Sequence, residues 1–379
     1  MQEQFVRSAT PWNKTRVSSI LGIEYPIIQG PLGGLSTQRL TATVSNFGGL
    51  GSFGAHGLSA SAIKDIIDEI RELTSKPFAM NLWVSMEDEG ARISGRQEFA
   101  RSLNHVARHI EDLGAPLPDY KPYVPVKFED QVRVLLDAKV PAFSFIVGVP
   151  PKEILDECRT QGILTIGTAT TAAEAMVLDQ AGVNVIVASG FEAGGHRGSF
   201  LLSAEDSLTG TFSLTPQVVD AISAPVVAAG GIGDARGIVA AFALGAEGVE
   251  MGTAFLASED SGASVHYRNA LLSGKGQRTS LTKGFTGRLA RGVHNQLMEE
   301  LNRPAVQTLP YPLQRMLVRN LAIPAERAGR TEFLQLWAGQ SANLSRMSDA
   351  KLLLQTLVSE VSAVAGPVLN WNHERRRNG

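Results

Sequence analysis

Short runs of apolar residues, each bounded by glycine or proline, alternate along the chain with segments in which apolar residues recur every three or four positions. The first pattern is typical of parallel strands buried on both faces, and the second of amphipathic helices that cover them. The candidate strands span residues 25–30, 49–53, 78–84, 142–148, 163–168, 183–190, 225–230 and 248–256. Eight strand–helix units in order predict a closed (β/α)8 TIM barrel, with an open doubly wound sheet as the alternative.

The segments between these strands carry signals that start and stop helices. In Ala60–Leu73 the apolar residues form one stripe at helical spacing, as in the isoleucines at 63, 66, 67 and 70. The starting signals are a capping box of Thr171 with Glu174, the pair Thr215-Pro216 with proline at the first helical position, and Asp234. The stopping signals are Gly182 and Gly245. The alternation of strands and helices therefore does not depend on hydrophobicity alone.

Two stretches break this rhythm and predict additions to the barrel. Residues 85–125 contain one predicted amphipathic helix around 103–113 and a proline-rich segment, and residues 259–347 hold further helices. An insertion after a strand emerges at the C-terminal face of a barrel, where active sites are built. We expect a smaller, mostly helical cap there, acting either as a lid or as a purely structural element. The predicted division is 1–84, 126–258 and 348–370 for the barrel, with 85–125 and 259–347 for the cap.

Composition narrows the class of protein. Of the 379 residues, 44% are hydrophobic and 19% are charged, as in soluble globular proteins with a large core. The formal net charge of −2 gives no clustered positive potential for nucleic acid or anionic lipid. The chain also lacks a run of about 18 apolar residues that could cross a bilayer. We therefore expect neither a nucleic-acid nor a membrane partner.

The termini and the single cysteine add three smaller expectations. Residues 1–16 are polar and lack the apolar stretch of a secretory signal, which favours a cytoplasmic protein. The basic run at residues 375–377 is expected to be a solvated tail. Cys158 is the only cysteine, which excludes an intrachain disulfide and a cysteine-ligated metal cluster. Its position beside Ile154 and Leu155 predicts a small buried hydrophobe rather than a nucleophile.

Residues 49–54 match the G-x-G-x-x-G pattern of dinucleotide-binding folds. In that motif the glycines follow a strand and open a helix, whereas here they lie inside an apolar run and the next helix begins only near Ala60. Close backbone packing in a barrel strand is the better interpretation, with a Rossmann fold as the alternative.

Two glycine turns after the seventh and eighth strands predict an anion site. Gly230 and Gly231 end one strand, and Gly252 with Thr253 follows the next. Such turns let backbone N–H groups approach an anion, and barrels commonly bind phosphate after strands seven and eight. Neither turn carries the G-K-[ST] of a triphosphate site, so a monophosphate or a flavin phosphate fits better, with plain tight turns as the alternative.

His196 differs from the other six histidines, which the pattern assigns to structural or solvated positions, His56 among them. Glycines flank it at the end of the sixth strand, so a ligand can approach its ring on the predicted catalytic face. A typical imidazole pKa of about 6.5 suits proton transfer at neutral pH. These features predict an acid/base group. A zinc site is a weak alternative, because Glu192 alone stands at ligand spacing.

Together these segments resemble the nitronate monooxygenase (2-nitropropane dioxygenase) family, whose relatives include FMN-dependent NADH:quinone reductases and flavin-containing enoyl-ACP reductases. The resemblance covers residues 23–295 and is carried by residues 25–34, 78–84, 192–198, 228–233, 252–255 and 287–295. The element Glu-Ala-Gly-Gly-His-Arg-Gly at 192–198 is specific in this position, whereas glycine pairs are common to many FMN barrels.

The resemblance implies a barrel that binds FMN non-covalently at its C-terminal mouth and no metal. His196 falls on the family's catalytic histidine. The expected cofactor contacts are Gln29, Gly30, Pro31, Leu32, Asn81, Thr168, Ser189, Gly194, Gly195, Gly230, Gly231, Glu250, Met251, Gly252 and Thr253. Ser189 departs from a glutamine that is common in the family, so the flavin contact there is expected to be shorter or bridged by water.

The implied reaction is oxidation of an alkyl nitronate, or of a nitroalkane, by flavin and O2 to a carbonyl compound and nitrite. One alternative is an FMN-dependent NAD(P)H reductase that passes electrons to a quinone or an enoyl thioester. Another is a flavin- or phosphate-binding barrel without catalysis. The sequence leaves open the substrate, the use of NAD(P)H, the role of the 85–125 insert and of the C-terminal helices, and whether the protein forms a homo-oligomer.

Overall fold

A computed structural model of the chain describes residues 11–85, 88–344 and 346–375. The expectations for residues 1–10 and for the arginines at 376 and 377 lie outside the described residues. The strands are β1 Ile27–Gln29, β2 Gly51–Gly54, β3 Phe78–Trp83, β4 Ala142–Ile146, β5 Leu164–Ala169, β6 Val185–Ser189, β7 Gly195–His196, β8 Val226–Ala229, β9 Gly248–Met251, β10 Thr279–Thr282 and β11 Ala290–Val293.

The helices alternate with these strands through the barrel and continue beyond it. They are α1 Arg16–Leu21, α2 Gln38–Phe47, α3 Ala60–Leu73, α4 Arg96–Leu103, α5 Ala107–Asp112, α6 Phe128–Asp137, α7 Lys152–Gln161, α8 Ala172–Gln180, α9 Thr211–Ala221, α10 Ala235–Ala243, α11 Thr253–Leu256, α12 Val265–Leu272, α13 Gln296–Leu301, α14 Leu313–Arg327 and α15 Ala350–Arg375. Within the described part of the chain, no helix combines the length and hydropathy needed to cross a membrane.

Eight parallel strands form one sheet in the order β1-β9-β8-β6-β5-β4-β3-β2. A bridge between Ile28 and Leu50 joins its two ends, where the Gln29 N–H donates to the Leu50 carbonyl at 2.9 Å and the Leu50 N–H to the Ile27 carbonyl at 3.0 Å. The (β/α)8 barrel predicted from the sequence is therefore confirmed. Most strands are shorter than predicted, and the last differs most, since β9 ends at Met251, the partner of the last residue of β1, and α11 follows it.

The barrel interior is filled with aliphatic side chains, among them Ile28, Ala79, Ile166, Val187 and Ala229. The outward-facing residues of the same strands pack against the surrounding helices in separate clusters. Because side chains alternate between the two faces of a strand, each strand sends every second residue toward the barrel axis. This alternation decides which residues of each strand end reach the mouth.

Several predicted helix signals are confirmed. Helix α3 has the predicted bounds, with Ile63, Ile67 and Ile70 fully buried, and Asp234 accepts the N–H groups of residues 236 and 237 at the start of α10. Helix α15 packs against α2 and α10 and supplies the last helix of the barrel. Cys158 is buried in the core, where burial raises the pKa of its thiol to about 11.

Two predicted helix starts need correction. Thr171 caps α8 through the Glu174 N–H, but the Glu174 carboxylate binds the backbone of Thr170, Phe200 and Leu201 instead of completing a capping box. The Thr215-Pro216 start is wrong, because α9 begins one turn earlier at Thr211 and contains the proline in its interior.

The earlier start of α9 has a long-range cause. The carboxylate of Glu192, in the loop after β6, accepts the N–H of Thr211 at 2.9 Å and satisfies a helix N-terminal donor that no residue next to the helix in sequence caps. Pro216 has no N–H to donate to the carbonyl of Phe212, and Phe212 lies on the exposed side of the helix. A local capping rule cannot anticipate this arrangement.

Elements outside the barrel share a second core, and we call them the cap: α4, α5, α12 to α14, β10 and β11. The one helix predicted around residues 103–113 is instead the two short helices α4 and α5, with Val106 and Ile110 buried. The cap also holds a three-stranded antiparallel sheet in the order β10-β11-β7, which the sequence pattern did not predict. Through β7 this sheet includes the loop that follows β6.

Gly51→Ala tests the close packing inferred for the G-x-G-x-x-G segment. A Cβ at Gly51 would overlap the backbone carbonyl of Thr41 on α2, so the substitution should lower the free energy of unfolding by about 1–3 kcal/mol or more. Gly198→Ala is the control, since its Cβ would meet only the Ile146 side chain at 3.5 Å and should change stability by less than about 1 kcal/mol. Chemical denaturation measures both, and equal effects would contradict the packing argument.

Candidate active site

A cavity of about 650 Å³ opens at the C-terminal ends of the barrel strands and continues beneath α14 of the cap. The predicted site residues that line it are Gly30, Pro31, Leu32, Asn81, Thr168, Ser189, Gly194, Gly195, His196, Gly230, Gly231, Glu250, Gly252 and Thr253. The structure thus brings residues from six different strand ends and two cap-facing loops to one volume.

Gln29 and Met251 are the two predicted site residues whose side chains do not line this cavity. The Gln29 side chain is fully buried, where its Oε1 accepts the Ser52 N–H at 3.0 Å and its amide donates to the Gly30 carbonyl. Met251 packs in the core between the barrel and its helices. The residues next to Gln29 and Met251 in sequence face the mouth. Because side chains alternate along a strand, Gln29 and Met251 point away from it.

The glycine turns pack against neighbouring backbone too closely to carry side chains. Gly230 and Gly231 have φ values of 99° and 71°, and a Cβ at Gly230 would come within 3.0 Å of the Gly190 carbonyl oxygen. A Cβ at Gly194 would lie 2.6 Å from the backbone of Gly339. Thr253 is held nearby because its Oγ1 accepts the Gly339 N–H at 2.9 Å. Along this part of the cavity the turns expose backbone beside one hydroxyl, and we call it the glycine recess, a polar lining that suits an anionic group.

His196 lies on β7, which pairs with Ala290 of β11 at the junction of barrel and cap. Its Nε2 is 2.8 Å from Oγ1 of Thr286, and its ring meets Trp83 edge-on at a centroid distance of 4.9 Å and Trp337 at 5.2 Å. Burial holds its pKa well below the usual 6.5, and the positive charges around it act in the same direction. The imidazole is therefore neutral at physiological pH.

The hydrogen bonds around Thr286 favour one tautomer of His196. The Thr286 hydroxyl donates to the Arg288 carbonyl at 3.2 Å, which leaves its oxygen to accept a proton from Nε2 of the histidine. Nδ1 is then the unprotonated nitrogen, and in the described part of the chain it has no hydrogen-bond partner. The lone pair of Nδ1 points away from Thr286 and can accept a proton from a ligand.

His56 is a site residue that sequence reasoning missed. It was grouped with structural or solvated histidines, yet it is buried, lines the cavity and stacks flat on Trp83 at 4.2 Å. Burial, with the nearby charges of Arg315 and Arg288, lowers its pKa to about 3. Its position just after β2, at the same end of the barrel as His196, is the signal that could have found it.

Cap residues complete the wall, and no sequence pattern pointed to them. Tyr311 stacks on Trp83 at 5.3 Å, Trp337 contacts His196, and Arg315 on α14 faces the cavity. They come from segments more than ninety residues after His196 in sequence, so only the folded cap brings them to the barrel mouth.

Two acidic groups near the site have different environments. The carboxylate of Glu192 is engaged by the Thr211 N–H and hydroxyl, which argues against the zinc alternative, and no group of three or more potential ligands for a metal ion occurs among the described residues. Glu250 faces the cavity from β9, and burial raises the pKa of its carboxyl to about 7.

Comparison with known proteins gives a consistent result. A family model described as nitronate monooxygenase matches residues 14–360. A protein of Staphylococcus aureus (strain Newman) described as a probable nitronate monooxygenase is 38% identical over 365 residues, which covers 93% of this chain and 99% of that protein. The same description and identity apply to relatives from other strains of that species.

Two solved structures extend the comparison. Nitroalkane oxidase from Streptomyces ansochromogenes is 35% identical with a TM-score of 0.84, over 94% of this chain and 100% of that one. FabK from Thermotoga maritima is 27% identical with a TM-score of 0.73, over 94% of this chain and 99% of that one. Both likenesses span barrel and cap together.

Glu250→Gln tests the buried carboxyl through stability. Its pKa in the folded protein, about 7, lies above the ordinary 4.5, so the folded state holds an extra proton between these values and the free energy of unfolding falls as pH rises through this window. Above about pH 7 the folded wild type must bury an ionised carboxylate, which lowers its free energy of unfolding. The glutamine amide is uncharged and has no such cost. With both proteins free of flavin, the free energy of unfolding of the variant at about pH 8 should exceed that of the wild type by up to about 3 kcal/mol.

The same comparison at about pH 4 should show almost no difference, because both states of the wild type are then protonated at this position. Chemical denaturation at the two pH values provides the measurement. A stability difference that does not change with pH would contradict the assigned environment of Glu250.

Proposed function

This chain belongs to the nitronate monooxygenase family of flavin oxidoreductases, and we propose that it is an FMN-dependent enzyme that oxidises alkyl nitronates with O2 to carbonyl compounds and nitrite. The observation that carries the proposal is a neutral, fixed imidazole at His196 overlooking a glycine-lined anion recess in one cavity. The family membership supports the reaction class, and the site supports the residue roles.

The residues of the cavity fit a flavin mononucleotide. We assign the phosphate to the part of the cavity lined by Gly230, Gly231, Gly252 and Thr253, since these residues offer backbone and one hydroxyl at the ends of β8 and β9. Asn81, Thr168 and Ser189, at the ends of three strands, are the proposed polar contacts of the rest of the cofactor. When bound, FMN supplies the one-electron chemistry that side chains cannot perform.

His196 has two proposed uses in the reaction. Its unprotonated Nδ1 can accept the α-proton of a nitroalkane, and the imidazole can hydrogen-bond the oxygens of a nitronate that arrives already deprotonated. The depressed pKa makes the imidazole a weak base, because desolvation opposes formation of the imidazolium. Nitronates are therefore the better substrates, with neutral nitroalkanes oxidised more slowly.

The aromatic wall around His196 restricts water and positions the substrate. Trp83, Tyr311 and Trp337 surround the imidazole with ring faces and edges. Exclusion of water strengthens each electrostatic contact inside the site. O2 is small and apolar, so the same wall does not bar its approach.

A reductase is the competing function, and one observation favours it. Arg319 and Arg327 are exposed residues of α14 that line the cavity, and they offer positive charge to the phosphates of a dinucleotide. Anaerobic addition of NADH or NADPH separates the two functions, because rapid bleaching of the flavin supports the reductase and bleaching by nitronate alone supports the monooxygenase.

The direct test is nitrite release in air from ethyl or propyl nitronate and from the matching nitroalkane. His196→Asn should retain FMN and lose about 100-fold or more of the wild-type turnover of the nitroalkane, whose α-proton must be removed, since general acid/base groups contribute about 10²–10⁴-fold. Turnover of the nitronate, which needs no base, should fall less. His105→Asn, on an exposed cap position, is the matched control and should retain turnover. Unaltered turnover in His196→Asn would remove this histidine from the mechanism.

Thr286→Val tests the fixing of the imidazole. The substitution keeps the size of the side chain but removes the hydrogen bond between Oγ1 and Nε2, so turnover should fall by about 10-fold or more while FMN content and nitronate KM change less. Thr286→Ser keeps the hydroxyl and should restore most of the turnover. A serine variant as impaired as the valine variant would show that packing, not the hydrogen bond, explains the effect.

A further inference from the structure

Arg315 presents a guanidinium to the cavity without a carboxylate partner. It is half-buried on α14, and its Nη1 lies 3.4 Å from Nε2 of His56 and 3.4 Å from the Tyr311 hydroxyl, both at the outer limit of hydrogen bonding. Among the described residues it forms no salt bridge. A guanidinium has five N–H donors in a planar fork, so most of its donor capacity is unused.

Other arginines near the mouth each have a close partner among the described residues. Arg288 pairs with Asp88 at 2.6 Å, Arg291 donates to the Phe191 carbonyl at 2.9 Å, and Arg197 donates to the Gly190 carbonyl at 2.7 Å. Buried charges are normally paired in this way, because an unpaired charge loses its hydration without compensation. Arg315 is thus a half-buried cation that has only two long contacts and no acidic partner among the described residues.

The positive charge of Arg315 reaches the reaction site. It contributes to lowering the pKa of both His56 and His196, so it lies within electrostatic range of the two imidazoles. The acids that line the cavity are Glu250 on β9 and Glu326, which is eleven residues further along α14 and so about 16 Å away along the helix axis. The charges that act on His196 include those of Arg315 and Arg288, both positive, so we infer a positive potential near its ring.

We propose that Arg315 binds the two oxygens of the substrate nitronate through its planar N–H fork, and thereby makes the enzyme select the nitronate anion over the neutral nitroalkane of the same carbon skeleton. The proposal rests on the function proposed above. A nitronate spreads one negative charge over two coplanar oxygens, the geometry in which guanidinium groups bind carboxylates. The nitro group of the neutral nitroalkane carries no net charge.

Selection follows from the charge difference between the two forms. A charge-assisted contact in a partly buried site is stronger than the same contact to a neutral acceptor, so the guanidinium stabilises the bound anion preferentially. Bound at Arg315, the nitronate oxygens also lie on the side of the cavity that holds His196 and the aromatic wall. The residue is thus a specificity determinant that touches the reacting group.

Arg315→Met should lower kcat/KM for ethyl nitronate by about 10- to 100-fold and change kcat/KM for nitroethane by less than about 3-fold, with FMN retained. The loss should appear chiefly in KM. Arg315→Lys keeps the charge without the fork and should lie between the wild type and Arg315→Met. Arg236→Met, exposed on α10, is the matched control and should leave both values unchanged.

A second readout is independent of turnover. Nitrate is a planar oxyanion that cannot be oxidised, and titrating it into the flavin-loaded enzyme should perturb the flavin absorbance, with a dissociation constant raised about 10-fold or more in Arg315→Met. Arg315→Gln, which keeps a hydrogen-bond donor but no charge, replaces the methionine variant if that protein does not accumulate. Equal nitrate affinity in wild type and variant would overturn the proposal.

The two tests separate this proposal from the function on which it rests. If the wild type releases no nitrite from nitronates but binds nitrate through Arg315, the proposed function fails while the anion site stands. If nitrite is released and Arg315→Met lowers nitronate and nitroalkane turnover equally, the proposed function stands and the selective role of Arg315 fails.

Discussion

The backbone pairing between β7 and β11 is the contact on which the arrangement of the site depends. It places His196 opposite Ala290 and continues through the Arg197 N–H, which donates to the Leu289 carbonyl at 3.0 Å. Without this pairing the imidazole would sit on an unsupported loop after β6, as barrel loops usually do. With this pairing, the glycine turns lie in the barrel and His196 lies where the barrel meets the cap. The site is therefore assembled only when barrel and cap are docked.

The barrel was predictable from sequence because its signals are local. Apolar runs mark its strands and helical stripes mark its helices, so α3 was predicted to the residue and the turns at Gly230 and Gly252 were predicted from glycines at strand ends. The features that escaped prediction depend on residues distant in sequence. A carboxylate nineteen residues away starts α9, and a two-residue strand builds the cap sheet.

The same distinction applies to the site. His196 was found because its loop has a recognisable local sequence, whereas His56 and Arg315 gain their roles from neighbours that the fold supplies. Gln29 and Met251 were predicted at the site, but their side chains do not line the cavity. Their neighbours in sequence reach the cavity, but the alternation of side chains along a strand buries them elsewhere, and a one-residue shift of register decides the outcome.

Burial and positive charge together give the cavity its chemical character. Both imidazoles are held neutral, while the Arg315 guanidinium has no carboxylate partner among the described residues and the glycine turns expose backbone to the cavity. The last two features favour anions, and we propose them as the sites for the substrate and for the cofactor phosphate. The crystal structure of the flavin-loaded protein is the most direct measurement of this account. It should place the phosphate within hydrogen-bond distance of the backbone at Gly231 and Gly252, with the His196 ring over the flavin. A phosphate bound elsewhere, or a flavin ring out of reach of His196, would contradict it.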